Sequence, residues 1–279
     1  MAVSDNAATF LGITNENEFY SAHYLSEVFK GDIKSTLEGW AEHAELDEHY
    51  QPPFKRLSNL NREYFSMRER LGRERSTKQR TQMQRDFFKS LLHALDIPWA
   101  PSNVVVGKDQ ELPVLSRLPN QLGVSSQLWV LGALDIDNEV SDPLSLKLHK
   151  DQYIGDGPHF DSLKNSEWYK LLNEVIFKMD EPPRWVLLIS DSQLILIDRY
   201  KWLQNRMLRF DWAEILGRRD DLTLKATSVL LHATSLVPGQ GESLLDGLDE
   251  NSHRHAFGVS EDLKYALREA IELLGNQSA

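Results

Sequence analysis

The 279-residue chain contains no cysteine, which removes disulfide frameworks, thiolate nucleophiles, cysteine zinc sites and iron–sulfur clusters together and suits a reducing cytoplasm. Long hydrophobic runs are missing as well. The longest, Trp185 to Ile189 and Leu194 to Ile197, fall far below the roughly 18 residues of a membrane-spanning helix. The opening residues Met1-Ala2-Val3-Ser4-Asp5-Asn6 lack the basic region and apolar run of a secretory signal. There is no G-x-G-x-x-G or P-loop to cradle nucleotide phosphate. A serine triad has no G-x-S-x-G elbow to sit on. Basic residues are outnumbered 31 to 42, and the net charge of −11 argues against indiscriminate binding to polyanions.

What is present is an ordinary globular composition, 41% hydrophobic and 26% charged with 15 glycines and 11 prolines, long enough for one large or two modest domains. The charge is unevenly spread. From Lys55 to Lys89, eleven basic residues stand against Glu63, Glu69, Glu74 and Asp86, a local excess of seven on an acidic body. Such a run is commonly just a solvated helix face. Here arginine dominates, and its planar fork grips phosphate bidentately, so Arg68, Arg70, Arg73, Arg75, Lys78, Arg80 and Arg85 are the candidate nucleic-acid contacts. Few aromatics lie among them, which favours contact with the phosphate backbone over base stacking.

Element signals divide the chain into three segments. Residues 1–75 read as helical: Asn15-Glu16-Asn17-Glu18 has the form of a helix start with Asn15 as cap, followed by Ala22, Leu25, Val28 and Phe29 at helical spacing. Residues 76–200 hold a helix from about Ser76 with Met83, Phe87, Phe88, Leu91, Leu92 and Leu95 facing inward, and Pro98 beyond it. Three short strands follow, at Asn103 to Val106, Leu112 to Leu118 and Leu128 to Leu134. Val140 to Phe160 reads as a long irregular loop. Trp168 to Ile176 forms a helix, and the two apolar runs around Ser190 to Gln193 form a hairpin. Residues 201–279 are again helical, with a last helix capped by Ser260, stopped by Gly275, and burying Leu263, Ala266, Leu267, Ala270, Ile271 and Leu274.

The order helix, three strands, helix, strand predicts an α/β (α+β) fold with a restriction-endonuclease-like αβββαβ core and flanking helices. Active sites of that class place an acidic residue on the second strand and an acidic-x-Lys triplet on the third, because two carboxylates hold Mg²⁺ while the lysine helps activate water. Here the third strand reads Trp129-Val130-Leu131-Gly132-Ala133-Leu134-Asp135, and the triplet is missing. A displaced metal site built from Asp135, Asp137 and Glu139, with Glu111 and Lys147 nearby, is the alternative. Acidic residues at strand ends are more commonly turn formers. His253-Arg254-His255, without further ligands, reads as a polar helix segment. No catalytic residue, metal ligand or cofactor is therefore assigned to this chain.

Gly12 to Leu25, Leu128 to Leu131, Asp180-Glu181-Pro182-Pro183-Arg184 through Leu188, Ile197-Asp198-Arg199, and the long stretch from Leu245 through Asp249-Glu250-Asn251-Ser252-His253 to Arg268 together resemble a known family. They are similar to the N-terminal region of large bacterial adenine-specific DNA methyltransferases of restriction–modification and phage-defence systems, the BREX and DISARM kinds included. The resemblance covers nearly the whole chain. It implies a degenerate PD-(D/E)XK-like domain that stands ahead of a methyltransferase and acts on DNA or on partner subunits. Where such relatives often carry Glu-Ala, this sequence has Gly132-Ala133. The cofactor-binding and target-base motifs of the methyltransferases are absent, so the chain reads as a fragment or a separate subunit. The expected function is a non-catalytic DNA-contacting and assembly module of a bacterial defence complex. Its expected partners are DNA, bound with little sequence preference, and a methyltransferase domain or subunit. An Mg²⁺-dependent nuclease and a protein–protein adaptor are the competing readings.

Overall fold

The computed structural model describes residues 10–120, 122–123, 126–136, 142–155 and 162–276. The fold is mixed α/β. The chain begins with strand β1 (Ile13–Glu16) and a π-helical turn at Tyr24–Val28. Helices α1 (Phe29–Asp32), α2 (Lys34–Leu46), α3 (Pro53–Asn59), α4 (Asn61–Arg73) and α5 (Thr77–Ala94) follow. Strands β2 (Ser102–Gly107), β3 (Gln110–Val114), β4 (Ser116–Pro119) and β5 (Ser126–Gly132) lead to α6 (Trp168–Glu174), then β6 (Trp185–Ile189) and β7 (Gln193–Asp198). The last part contains α7 (Arg199–Trp202), β8 (Met207–Asp211), α8 (Trp212–Arg218), α9 (Asp221–Leu231), α10 (Ala233–Leu236) and α11 (Leu244–Asn276).

Six strands form one sheet in the order β1-β8-β7-β6-β5-β4. All its neighbours are antiparallel except β5 and β6, which pair in parallel from Leu128↔Trp185 to Gly132↔Ile189 across the connection that carries α6. The hairpin β2–β3 forms a separate two-stranded sheet beside it: Leu115 joins β3 to β4, and its N–H donates to Val130 O at 2.8 Å. Alternation along the central strands explains why they read as unbroken apolar runs, since both sheet faces are covered. Leu128, Val130, Leu187, Ile189, Leu194 and Leu196 enter one core with Tyr64, Phe87, Phe88, Trp212 and Leu230. Trp129, Leu131, Val186, Leu188, Ile195 and Ile197 enter the other with Trp168, Leu171 and Leu172. Each such side chain contributes on the order of 1.5–3 kcal/mol when fully buried. Strands β1 and β8, from the two outer segments of the chain, complete the sheet that the central segment builds.

The chain departs from the sequence expectation at both ends. Asn15 does not cap a helix: Ile13–Glu16 pairs antiparallel with β8, and the Asn15 amide donates to Tyr20 O at 2.7 Å while accepting from Tyr20 N at 3.1 Å. Asn17 and Glu18, with φ of 50° and 58°, turn the chain sharply between them. The same side-chain chemistry that caps helices can tie off a loop, and here the loop wins. At the other end, Ser260 starts nothing. One helix runs from Leu244 to Asn276, and Leu263, Ala266 and Leu267 are exposed where a buried stripe was expected. Helical periodicity defines a face without saying what covers it.

Candidate nucleic-acid interface

Helices α4 and α5 carry the basic run as a helical hairpin whose turn is Glu74-Arg75-Ser76. Ser76 starts α5 by accepting from Gln79 N. Tyr64, Met67 and Leu71 of α4 and Phe87, Phe88, Leu91 and Leu92 of α5 face the core, so the helical phase decides which arginines reach water.

The seven candidates separate accordingly. Arg70, Arg75 and Lys78 are exposed and have no ion-pair partner among the described residues. Arg73 is exposed too, and pairs with Glu69 one turn earlier at 2.7 Å. Arg68 turns inward to Asp191, a carboxylate 3% exposed in the β6–β7 turn. Arg85 is half buried over the Trp99 ring at 6.0 Å, and burial lowers its pKa from the ordinary value. Arg80 is 6% exposed and commits its guanidinium to three backbone carbonyls, Leu71 at 2.6 Å, Glu74 at 3.2 Å and Asp135 at 3.3 Å. Arg80 is thus a clamp joining α4, α5 and the end of β5, not a phosphate contact. Its sequence signal is phase: Arg80 shares one helix stripe with Gln84, Phe87, Phe88 and Leu91, as Arg68 does with Tyr64 and Leu71. Between the helices runs a groove of about 540 Å³, with Met67, Met83 and Phe87 among its lining and Arg70, Glu63 and Asp86 beside them.

The ends of the parallel pair β5 and β6 are where an open α/β sheet tends to place ligands. Here they are plugged from the helical side. Gln84 donates to Asp135 O and accepts from Asp135 N, both at 3.0 Å, and the Asp135 residue is 5% exposed. Gly132 is held by Gln152, whose amide donates to its carbonyl. A Cβ on Gly132 would stand 3.2 Å from Leu115 Cδ1 and 3.4 Å from Phe88 Cε2. The space left beside Arg85, Phe88, Leu115, Gly132 and Gln152 is about 10 Å³, at the limit for one water. Lys147 is exposed and bridges to Glu167 through backbone, and the Glu111 carbonyl accepts from Tyr153 Oη at 2.9 Å. Asp137 and Glu139 lie outside the described residues, among which there is no group of three or more metal-ligating His, Asp or Glu side chains.

Several of the sequence stretches quoted for the family resemblance meet in one polar knot. Arg184 bridges Asp198 at 3.0 Å and Asp246 at 2.9 Å, between the rings of Trp185 and Tyr200. Burial pushes the Asp198 carboxyl above its ordinary value despite Arg184. Lys201 donates to Phe19 O at 2.7 Å and pairs with Asp249, and its own burial lowers its pKa. Ser252 Oγ accepts from Ser21 N at 2.8 Å, and Asp32 accepts from both Asn251 at 2.9 Å and Tyr24 Oη at 2.7 Å. These contacts fasten the first turns of α11 to the sheet. Beyond them Phe257, Leu263, Tyr265 and Leu267 are 61–73% exposed. No described helix is long and apolar enough to cross a membrane. Comparison with protein-family models, curated proteins and solved structures returns no match.

Proposed function

We propose that this chain is a non-catalytic DNA-contacting and assembly module of a bacterial DNA-modification or antiphage complex. The observation that carries this reading is the α4–α5 hairpin, which presents Arg70, Arg75 and Lys78 to solvent without carboxylate partners among the described residues, on a chain of net charge −11. Cations kept free within an acidic molecule favour a polyanion at that place, and contacts of this kind hold phosphates with little regard to sequence.

The element order α5, β2, β3–β4, β5, α6, β6 supports a restriction-endonuclease-like core. Where a third-strand ligand would stand in an active member, Gly132 is packed against Leu115 and Phe88, which favours a binding role over cleavage. The exposed apolar side of α11 favours the assembly half of the reading, with a methyltransferase domain or subunit as its partner. The test is fluorescence anisotropy of a labelled duplex at low salt. Binding that weakens on replacing Arg70, Arg75 and Lys78 by alanine supports the proposal; no binding, or equal binding by the variant, removes the DNA half.

A further inference from the structure

Away from the α4–α5 turn, a cavity of about 370 Å³ opens between the end of α2, helix α3 and the end of α8. Ala44, Tyr50, Gln51, Pro52, Lys55, Ser58, Asn59 and Arg219 line it, so it holds two cations, several neutral donors and no carboxylate. On a chain with 42 acidic residues that composition is selective. Of the acidic groups nearest in sequence, Asp220 caps α9 through Thr223 N at 2.8 Å, Asp221 pairs with Lys225 at 2.6 Å and Asp47 accepts from His49 N at 2.9 Å, while Glu45 and Glu48 are exposed and are not among the lining residues.

Arg219 is built into this place at a conformational cost. It ends α8 in the left-handed region, at φ 53° and ψ 36°, a C-terminal position that favours glycine. Its Nε donates to Ser58 Oγ at 2.9 Å, which fixes the plane of the guanidinium and leaves both Nη nitrogens without a protein partner among the described residues. The Tyr50 ring is stacked on His43 with centroids 3.8 Å apart, and burial raises its hydroxyl pKa, keeping it a donor. The Asn59 amide donates to Gln51 Oε1 at 3.5 Å, which leaves the Gln51 amide nitrogen available.

We infer that this cavity is a phosphoryl-binding site in which Lys55 and the Nη pair of Arg219 hold the anion. The donor set matches a phosphate dianion or monoester: one planar fork, one point charge and neutral donors around them. The phosphoryl group comes either from a small phosphorylated ligand or from a nucleic-acid backbone, and the two sources are separable. The inference stands independently of the α4–α5 hairpin.

The probe is inorganic phosphate, followed by broadening of its ³¹P resonance on addition of the full chain. A labelled duplex is titrated in parallel by anisotropy. Two variants are compared with the wild type: Lys55→Met, and Arg219→Gly, which removes the side chain while suiting the left-handed backbone. Broadening that falls at least tenfold in both variants, with thermal stability kept, supports the site. If duplex affinity falls with it, the source is a backbone phosphate; if duplex affinity is unchanged, the source is a small phosphorylated ligand. Absence of broadening in the wild type, or equal broadening in the variants, overturns the inference.

Discussion

Arg80→Leu separates a structural arginine from a binding one. The substitution keeps the aliphatic volume on the buried stripe of α5 but removes the three bonds to Leu71, Glu74 and Asp135 carbonyls. Asp135 O retains its bond from Gln84, so it is not orphaned. Leu71 O, which is buried, and Glu74 O, which is part-buried, lose their charged donor, at about 1–3 kcal/mol for a buried acceptor left without a partner and less for the part-buried one. Against this, the buried Arg80 Nε has no partner in the wild type, and removing it returns part of the loss. The net cost is about 3 kcal/mol. For a chain of this size that lowers Tm by about 6 °C, at about 2 °C per kcal/mol. The assay is thermal unfolding by circular dichroism beside duplex anisotropy measured well below Tm. The expected result is a lower Tm with duplex affinity within twofold of wild type. An unchanged Tm with weakened DNA binding would place Arg80 on the surface and refute the reasoning.

Gly132→Glu, which places an acidic residue at that strand position, is expected to leave plasmid supercoiled in Mg²⁺ and to lose about 1–3 kcal/mol by overpacking Leu115 and Phe88; Mg²⁺-dependent nicking would contradict this. Lowering pH is expected to destabilise the fold in two steps. His232 is held below its ordinary value by burial, against the pull of Asp96, so the unfolded chain takes up that proton first and stability falls as pH drops below about 6.5. For Asp96, burial is outweighed by the bonds from Arg56 and His232, and its pKa is depressed; its contribution is present above the ordinary carboxylate range and lost as pH falls through the depressed value. His232→Asn, followed by urea unfolding across pH, should abolish the first step and, by removing one of the two groups that depress Asp96, shrink the second. Replacing Phe257, Leu263 and Leu267 by aspartate should change stability by no more than about 0.5 kcal/mol per site, since all three are exposed. The same variant should fail to retain a co-expressed methyltransferase subunit on an affinity column.

Elements carrying an unambiguous period are readable from sequence. The apolar strands β6 and β7 around Ser190 to Gln193, the first and third strands after Pro101, and the inward stripe of α5 are found close to where the residues place them, whereas the strand expected over Leu112 to Leu118 breaks at Leu115 into β3 and β4, which lie in different sheets. β8 and β1 give no such signal. Met207–Asp211 and Ile13–Glu16 are short and mixed in polarity, and they become strands by pairing with each other and with β7. Pairing partners far apart in sequence are tertiary information. Among the basic residues, composition counts charge, whereas the phase of Tyr64, Met67 and Leu71 on α4 and Phe87 and Leu91 on α5 sorts it. That phase turns Arg68 and Arg80 inward and leaves Arg70, Arg75 and Lys78 in water. The phosphoryl cavity was invisible for a different reason, because Lys55 and Arg219 meet only through the packing of α3 against the end of α8.

The salt dependence of duplex binding bears most directly on the central claim. Each phosphate neutralised contributes about −0.9 to the slope of log K against log salt concentration. Replacing Arg70, Arg75 and Lys78 together by alanine should therefore reduce the magnitude of the slope by about 3, with the thermal midpoint unchanged. An identical slope in the variant, or a wild-type chain that leaves the duplex unbound at low salt, would contradict the account.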